Sequence, residues 1–372
     1  MDQDAWIIMV RRPVKREGSV QYMAFVLVSF AVSVSLTRLF LSLSNYPQVG
    51  NGELHIAHVL WGGLLLFIAA LLPLLISNRR AYKAASILTG VGIGLFIDEV
   101  GKFITQKNDY FYPAAAPIIY IFFMLTLMLL LQLRRQEKAT ARAEMCRVLE
   151  TLQDWIYNPL SQKDHQVMLE RLKSIADDGS TSILSGLASG LLSVIQEDER
   201  PATVKEPPRW APYIKGLDRW VSERGLRITL ASGFLVMALI AFKNPTGALL
   251  GSRLPSFINS WLIGLHSGRW IDSESAAVLY QIRVILEIVL GFSLLMVSLF
   301  LFFRRQRIGI LLGFVSLLVY LGTINMFLFY FEQFSTILLV LYQFILLLGL
   351  MYYRARFPSD VEAIQDTVAI LS

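Results

Sequence analysis

Long apolar stretches alternate with short polar ones along most of the chain. Each apolar stretch runs for about 20 residues, the length at which an α-helix crosses a hydrocarbon core of roughly 30 Å. The pattern predicts eight membrane-spanning helices, at about 20–43, 54–76, 84–104, 114–133, 228–249, 279–303, 308–330 and 335–353. We therefore expect an all-α integral membrane protein.

Polar segments divide these spans into two membrane halves. The order of spans, turns and loops in 54–135 recurs in 279–356, which indicates a four-plus-four parallel repeat. The predicted domains are an N-terminal cytoplasmic segment, a first membrane half, a cytoplasmic helical insert, a second membrane half and a cytoplasmic tail, at 1–19, 20–133, 134–227, 228–356 and 357–372.

The insert shows helical periodicity of its own. The helical spacing of the apolar residues predicts a helix with one hydrophobic face, formed by Met145, Val148, Leu149, Leu152 and Ile156. A second helix is predicted at 182–196. The aromatic and basic stretch 209–227 is typical of a helix that lies at the headgroup level. Two interpretations stay open: a linker domain that packs on the membrane, or a regulatory, partner-binding domain.

Charge orients the predicted spans. The chain is 55% hydrophobic and only 17% charged, with a mean hydropathy of +0.54 and a net charge of +6. That charge comes from short Lys and Arg clusters beside the spans, not from a nucleic-acid-binding surface. With both termini cytoplasmic, every cluster is also cytoplasmic, as the positive-inside rule requires. We expect a bacterial inner membrane protein. The single cysteine, Cys146, excludes a disulfide within the chain and a cysteine-based metal site.

Ionisable side chains interrupt the first three spans near their predicted outer ends. Arg38 lies in the first span, His55 and His58 begin the second, and Asp98 and Glu99 lie in the outer third of the third. Charged residues inside spans are costly, face protein or water, and mark functional sites. We predict that these five groups form one polar site, with Lys102 and Asp109 close to it.

Glycines provide a packing hypothesis for that site. Gly90, Gly94 and Gly101 project on one side of the third helix, and Gly62 lies on the histidine face of the second. Small residues let neighbouring helices approach closely. We therefore expect helices two and three to pack through these glycines, with His55 and His58 facing Asp98 and with Lys102 able to pair with either acid.

The site residues suit several kinds of chemistry. His55, His58, Asp98 and Glu99 offer nitrogen and oxygen ligands for a divalent zinc, iron or manganese ion. Asp98 and Glu99 are the candidate catalytic groups, and Arg38, Lys102 and Asp109 are candidate substrate-binding groups. The alternatives are a charge network that holds the helices together, a proton relay, and an anionic headgroup site with Arg38 as the phosphate-binding fork. Nothing predicts a nucleotide cofactor or a nucleic-acid partner.

The second half also carries polar residues on its predicted outer side, namely Arg253, His266, Asp272, Glu274, Arg283, Glu287 and Glu332. The i, i+4 spacing of Arg283 and Glu287 favours an intrahelical ion pair. The loop 243–277 predicts a re-entrant or interfacial helix with Trp261 and Trp270. In the predicted repeat, the stretch 321–325 of the second half corresponds to the stretch around Asp98. Its only residue polar enough to compare with Asp98 is Asn325.

The second and third spans resemble a known pattern. H-x-x-H-x-x-x-G-G, beginning at His55, precedes G-x-G-x-F-I-D-E-x-G-K-F, beginning at Gly92. This pairing resembles a family of uncharacterised bacterial polytopic membrane proteins over about 55–120. The resemblance implies that the histidine and Asp-Glu positions belong together, and it implies no activity. The fuller motifs of zinc-dependent membrane lipid hydrolases do not match.

Three functional hypotheses follow. The first is an enzyme or binding protein of the bilayer that acts on a lipid-like or small substrate at the outer polar site. The second is a proton-coupled or ion transporter, for which the inner halves of spans two, three and four offer few polar groups. The third is a signalling or scaffold protein that acts through residues 134–227.

Overall fold

The computed structural model describes residues 14–44, 57–107, 109–135, 140–157, 161–177, 182–197, 222–250 and 274–357. Within these ranges the chain is helical and contains no β-strand, which confirms the all-α class. The helices of the first part are α1 Ser19–Leu43, α2 His58–Leu75, α3 Arg79–Asp98, α4 Val100–Ile104 and α5 Ala115–Arg134. Three helices follow in the insert, α6 Ala141–Tyr157, α7 Gln162–Asp177 and α8 Ser182–Gln196. The last are α9 Glu223–Leu250, α10 Glu274–Phe302, α11 Gln306–Val319, α12 Asn325–Glu332 and α13 Ile337–Arg356.

Seven helical stretches in the described part of the chain are long and apolar enough to cross a membrane. Six of them, α1, α2, α3, α5, α9 and α10, lie on six of the predicted spans. The seventh runs for 51 residues, Gln306–Arg356, and covers the predicted seventh and eighth spans together. The chain is a multi-pass membrane protein by this measure.

The 51-residue stretch folds back on itself. A π-helical turn, Tyr320–Ile324, and a 3₁₀ turn, Gln333–Thr336, interrupt it. Gln333 has a positive φ of 50°, a conformation that side chains other than glycine adopt rarely. A Cβ at Gly313 would lie 3.1 Å from the Leu350 side chain, whereas an unbroken helix would hold these residues about 55 Å apart. α11 and α13 therefore lie side by side.

The chain divides into two compact units. The first contains Met1–Asp98 and Phe123–Pro208, and the second contains Glu99–Phe122 and Arg209–Ser372. The first boundary falls between the two adjacent acids of the predicted site.

In the first unit, α3 packs against both α1 and α2. The buried positions of α3 hold small residues, Ala81, Ala85, Ser86, Gly90, Gly92 and Gly94, before Asp98. The Asn78 side chain accepts a 2.7 Å hydrogen bond from the Ala81 N–H and so caps the start of α3. Because α3 presents so little side-chain volume, both neighbouring helices approach its backbone closely.

The insert helices α6, α7 and α8 form a bundle with its own core in the first unit. Val148, Leu172 and Ala188 are fully buried there. The predicted α8 is confirmed, but α7 was not predicted, because its apolar residues are few and widely spaced. The predicted hydrophobic face of α6 is buried only in part, since Leu149 is 46% exposed and Ile156 is 65% exposed. The stretch 209–221 lies outside the described residues.

In the second unit, α10 packs against α9 and α11, and α13 packs against α9 and α11. Phe234, Leu294, Leu317 and Leu350 are fully buried in the core that they share. Arg227 at the start of α9 donates to the carbonyls of Leu301 and Phe302 at 2.9 and 3.1 Å, and both carbonyls lie in the last turn of α10.

Candidate functional site

The glycine contacts bring three helix ends together in the first unit. A Cβ at Gly92 would lie 2.9 Å from the Gly62 carbonyl oxygen of α2, and one at Gly94 would lie 2.7 Å from the Ser33 side chain of α1. The expectation that Gly90 and Gly94 pack against α2 is wrong, because both meet α1. Gly92 meets α2 instead, since two residues along a helix turn the side-chain direction by about 200°.

Asp98, the last residue of α3, is the centre of a buried charge cluster. It is 0% exposed, and Arg38 of α1 is 7% exposed. The Arg38 Nε–H donates to Asp98 Oδ1 at 2.5 Å, and an Arg38 Nη2–H donates to the Asp98 carbonyl oxygen at 3.0 Å. A buried carboxylate needs such a partner, because an isolated charge is very costly away from water.

An irregularity in the backbone makes the second of these bonds available. α3 ends at Asp98, and Glu99 has ψ near 9°, so that the helix does not continue regularly into α4. The Lys102 N–H donates to the Glu99 carbonyl at 2.9 Å, three residues back. The Asp98 carbonyl is one of the helix-terminal acceptors that require a partner from outside the helix, and Arg38 supplies it.

His58, the first residue of α2, contacts the other oxygen of the Asp98 carboxylate. Its Nε2 lies 3.1 Å from Asp98 Oδ2, and its side chain is 22% exposed. An ionised carboxylate can only accept, so beside the Asp98 carboxylate Nε2 carries the proton of this bond. In the neutral ring Nδ1 is then the basic nitrogen. The structure thus brings Arg38, His58 and Asp98 together, and His55 lies outside the described residues.

Glu99, Lys102 and Asp109 belong to the second unit. Glu99 is 2% exposed, and the Lys102 Nζ donates to its Oε1 at 3.1 Å, so Lys102 pairs with Glu99 of the two acids. Asp109 Oδ1 accepts from the Phe111 N–H at 2.9 Å, while the Asp109 N–H donates to Thr105 Oγ1 at 2.8 Å. The Asp109 side chain therefore holds the turn after α4.

The described donor set does not favour a divalent metal. No group of three His, Cys, Asp or Glu side chains that could hold one exists among the described residues. Asp98 is paired with Arg38, and Glu99 with Lys102, so that a cation already balances each predicted carboxylate ligand. The predicted zinc, iron or manganese site stays a prediction, since it also requires His55.

A second buried charge cluster lies in the second unit. Arg283 Nε donates to Glu287 Oε1 at 2.9 Å, which confirms the predicted intrahelical pair, and the same guanidinium also pairs with Glu332. Arg283 and Glu287 are each 1% exposed. Glu274 begins α10, whereas Arg253, His266, Asp272 and the two loop tryptophans lie outside the described residues.

Asn325 belongs to a neutral polar cluster that sequence reasoning missed in part. Its Nδ2 donates to Gln343 Oε1 at 2.7 Å and to the Tyr120 hydroxyl at 3.2 Å. Tyr120 donates in turn to the Leu321 carbonyl at 2.6 Å, within the π-helical turn. Such turns disturb regular helix bonding and recur at functional sites. The available signal was Gln343, an amide in the middle of an otherwise apolar stretch.

Comparison with known proteins adds no assignment to this geometry. No protein-family model, no curated protein and no solved structure matches the chain.

Proposed function

We propose that the chain is an eight-pass protein of a bacterial inner membrane, with both termini and the α6–α8 bundle in the cytoplasm. Six candidate spans and the folded-back stretch Gln306–Arg356, long enough to cross twice, support eight passes. The basic clusters beside the spans support the orientation. The four-plus-four repeat and membership in the bacterial family that the H-x-x-H and D-E motifs resemble belong to the same proposal.

We further propose that His58 is the reactive or ligand-contacting group of an extracytoplasmic site for a small or lipid-like molecule. One observation carries this: the buried Asp98 holds Arg38 on one oxygen and the partly exposed His58 on the other. A carboxylate that orients an imidazole and stabilises its protonated form is the arrangement by which proteins make a histidine an effective base or ligand.

The other site residues take supporting roles in this proposal. Asp98 positions His58 through its Oδ2, and Arg38 balances the charge of the Asp98 carboxylate. Glu99 is the second candidate acid or base, with Lys102 as its counterion, and Asp109 shapes the turn after α4. Whether the bound molecule is transformed or only held distinguishes an enzyme from a binding protein.

A ligand screen tests the site. Purified protein is assayed by thermal shift against divalent cations, phosphate-containing headgroup compounds and small carboxylates. We expect one class to raise the Tm of the wild type and of His165→Gln, a control in the α6–α8 bundle, but not of His58→Gln. A shift that survives in His58→Gln would refute the role of His58.

Metal analysis tests the predicted cofactor separately. Wild type and a His55→Ala/His58→Ala variant are purified without chelators, and their zinc, iron and manganese contents are measured. About one equivalent in the wild type, lost in the variant, would support the metal site. No metal in either folded protein would refute it, because its four-ligand set includes both histidines.

Signalling through the α6–α8 bundle is a second candidate function, and contacts at the other end of α3 favour it. Arg79, the first residue of α3, pairs with Asp154 of α6, and Gln153 donates to Ser77 at 2.7 Å. A single helix, about 30 Å long, therefore joins the Asp98 cluster to the bundle. The test is hydrogen exchange in α6 with a ligand from the screen: Arg79→Gln should abolish any ligand-dependent change while ligand binding itself persists.

Transport is the remaining hypothesis, and the buried Arg283–Glu287–Glu332 cluster is its best support in the second unit. A proton-coupled carrier should change the luminal pH of proteoliposomes when substrate is added, and an ion-coupled carrier should move its coupling ion into or out of the lumen. Glu287→Gln should stop that flux. The absence of any flux with a molecule that binds at His58 would favour the enzyme or binding protein instead.

A further inference from the structure

A basic pocket lies in the first unit, between the ends of two membrane helices and the α6–α8 bundle. Its volume is about 430 Å³, within the range of ligand-binding sites, and it is open to solvent on one side. Six cationic side chains line it: Lys15, Arg16, Arg134, Arg135, Arg147 and Arg171. One carboxylate, Glu17, shares the lining.

The cations come from separate elements that meet at one level. Lys15 and Arg16 precede α1, and Arg134 and Arg135 lie at the end of α5. Lys15 Nζ donates to the Arg135 carbonyl at 3.1 Å, which joins these two segments. Arg147 and Arg171 project from α6 and α7. Because α1 and α5 are long and apolar enough to cross a membrane, we expect a pocket at their ends to lie at the level of the lipid headgroups.

Carboxylates balance only part of this charge. In the part of the chain that the structure describes, Glu144 pairs with Arg147 and Arg171, Glu17 pairs with Arg171, and Glu150 pairs with Arg16. Against the five arginines of the pocket, these three acids leave an excess of two positive charges among the described residues. Arg134 and Arg135 are exposed, and neither has a carboxylate of the described residues within ion-pair distance.

Arg16, whose side chain is about half-exposed, stays charged. Burial lowers the pKa of its guanidinium, but the Tyr82 hydroxyl and the Glu150 carboxylate raise that pKa by more, so the net shift is upward. The guanidinium also lies over the Tyr82 ring, 3.9 Å from its centre. These contacts fix Arg16 at the edge of the pocket, which limits the entropy lost when an anion binds.

We propose that this pocket binds a phosphate group, and that its source is the headgroup of an anionic phospholipid. Several guanidinium groups around one cavity match phosphate geometry, because each can offer two parallel N–H donors. Basic pockets between membrane helices on the cytoplasmic side are suited to anionic headgroups. This site is separate from the His58 site, and its test does not depend on that proposal.

Lipid retention tests the proposal on the full chain. Wild type, Arg134→Gln/Arg135→Gln and the control Arg304→Gln/Arg305→Gln are purified in detergent and mixed with phosphatidylglycerol or phosphatidylcholine. Native mass spectrometry then measures the bound lipid. The control pair is exposed and follows α10, so it removes the same charge from another helix end. Neither pair enters a described ion pair, so both variants should fold.

We expect the wild type and the control to bind phosphatidylglycerol over phosphatidylcholine, whose choline cation offsets the phosphate. Each arginine near an anionic headgroup contributes about fivefold, so the Arg134→Gln/Arg135→Gln variant should bind about 30-fold more weakly. Inorganic phosphate in a parallel titration distinguishes the sources. If the wild type binds inorganic phosphate but no phospholipid, and the Arg134→Gln/Arg135→Gln variant does not bind inorganic phosphate, the pocket binds free phosphate and not a lipid headgroup. Equal phosphatidylglycerol binding by all three proteins, or no binding of either probe, would overturn the proposal.

Discussion

The two compact units contain buried charge clusters of opposite design. In the first unit the central charge is a carboxylate, Asp98, flanked by Arg38 and His58 from two other helices. In the second the central charge is a guanidinium, Arg283, flanked by Glu287 from its own helix and Glu332 from a later one. Each centre is fully buried or nearly so, and each cluster has one flanking partner that is partly exposed, His58 at 22% and Glu332 at 31%.

The partly exposed partner is a histidine in the first cluster and a glutamate in the second. This difference marks the first cluster as the candidate reactive site and the second as a structural cluster. Histidine is the side-chain type that gains and loses protons most readily in the physiological range, so a partly exposed imidazole can exchange protons or bind ligands. A glutamate paired with arginine mainly remains an anion. The cluster of the first unit joins residues of three helices, whereas two of the three residues of the second cluster lie in one helix. We therefore expect function to follow His58 and stability to follow Arg283.

The largest effect on stability should come from Arg283→Met. This substitution leaves Glu287 buried without its counterion. Removal of one partner of a buried ion pair lowers the free energy of unfolding by about 3–5 kcal/mol. Unfolding in mixed detergent by heat or SDS measures this loss. The double variant Arg283→Met/Glu287→Leu should recover most of it, because no unpaired buried charge remains. A single variant as stable as the wild type would refute a structural role for the cluster.

Arg38→Met should cost somewhat less, about 2–4 kcal/mol, because His58 still donates to Asp98. The same unfolding assay measures this loss. Asp98→Asn with Arg38→Met should restore stability but not ligand binding. If Arg38→Met proves more destabilising than Arg283→Met, the supposed division of stability and function between the two clusters is wrong.

Gly62→Ala should cost about 1–3 kcal/mol and weaken ligand binding at the His58 site. Its Cβ would lie 2.8 Å from the Phe96 backbone nitrogen, so α2, which carries His58, must move away from α3. Gly63→Ala is the matched control, because nothing lies within 4 Å of its added Cβ. Thermal unfolding of both variants tests this, and equal Tm values would contradict the close α2–α3 contact.

The smallest effects should come from the two partly exposed partners. His58→Gln and Glu332→Gln should each cost less than about 1 kcal/mol, because water compensates for the lost contact. Their functional effects should differ, with His58→Gln abolishing binding of the ligand found by thermal shift. Glu332→Gln should bind that ligand as the wild type does. Loss of binding in both variants would show that the two clusters act together.

Much of the fold follows from hydropathy alone. Six predicted spans coincide with separate long helices, because apolar stretches of this length have few other stable structures in a bilayer. The insert was harder to predict. α7 has buried Met168, Leu172 and Ile175 among many charged residues, and its pattern becomes clear only when the helices that cover those three residues are known.

The candidate site was predictable in part, namely in the grouping of three residues and in the contact of His58 with Asp98. Matched depth along the first three spans correctly grouped Arg38, His58 and Asp98, since depth depends only on sequence position and the rise of a helix. Three features were not predictable, because each depends on how a helix rotates against its neighbours. They are the glycine contacts, the ion pair of Lys102 with Glu99, and the ion pair of Arg283 with Glu332.

Sequence by itself determined an all-helical membrane chain with charges at one level. Only the tertiary structure decided which charges meet, because helix rotation is set by packing rather than by hydropathy.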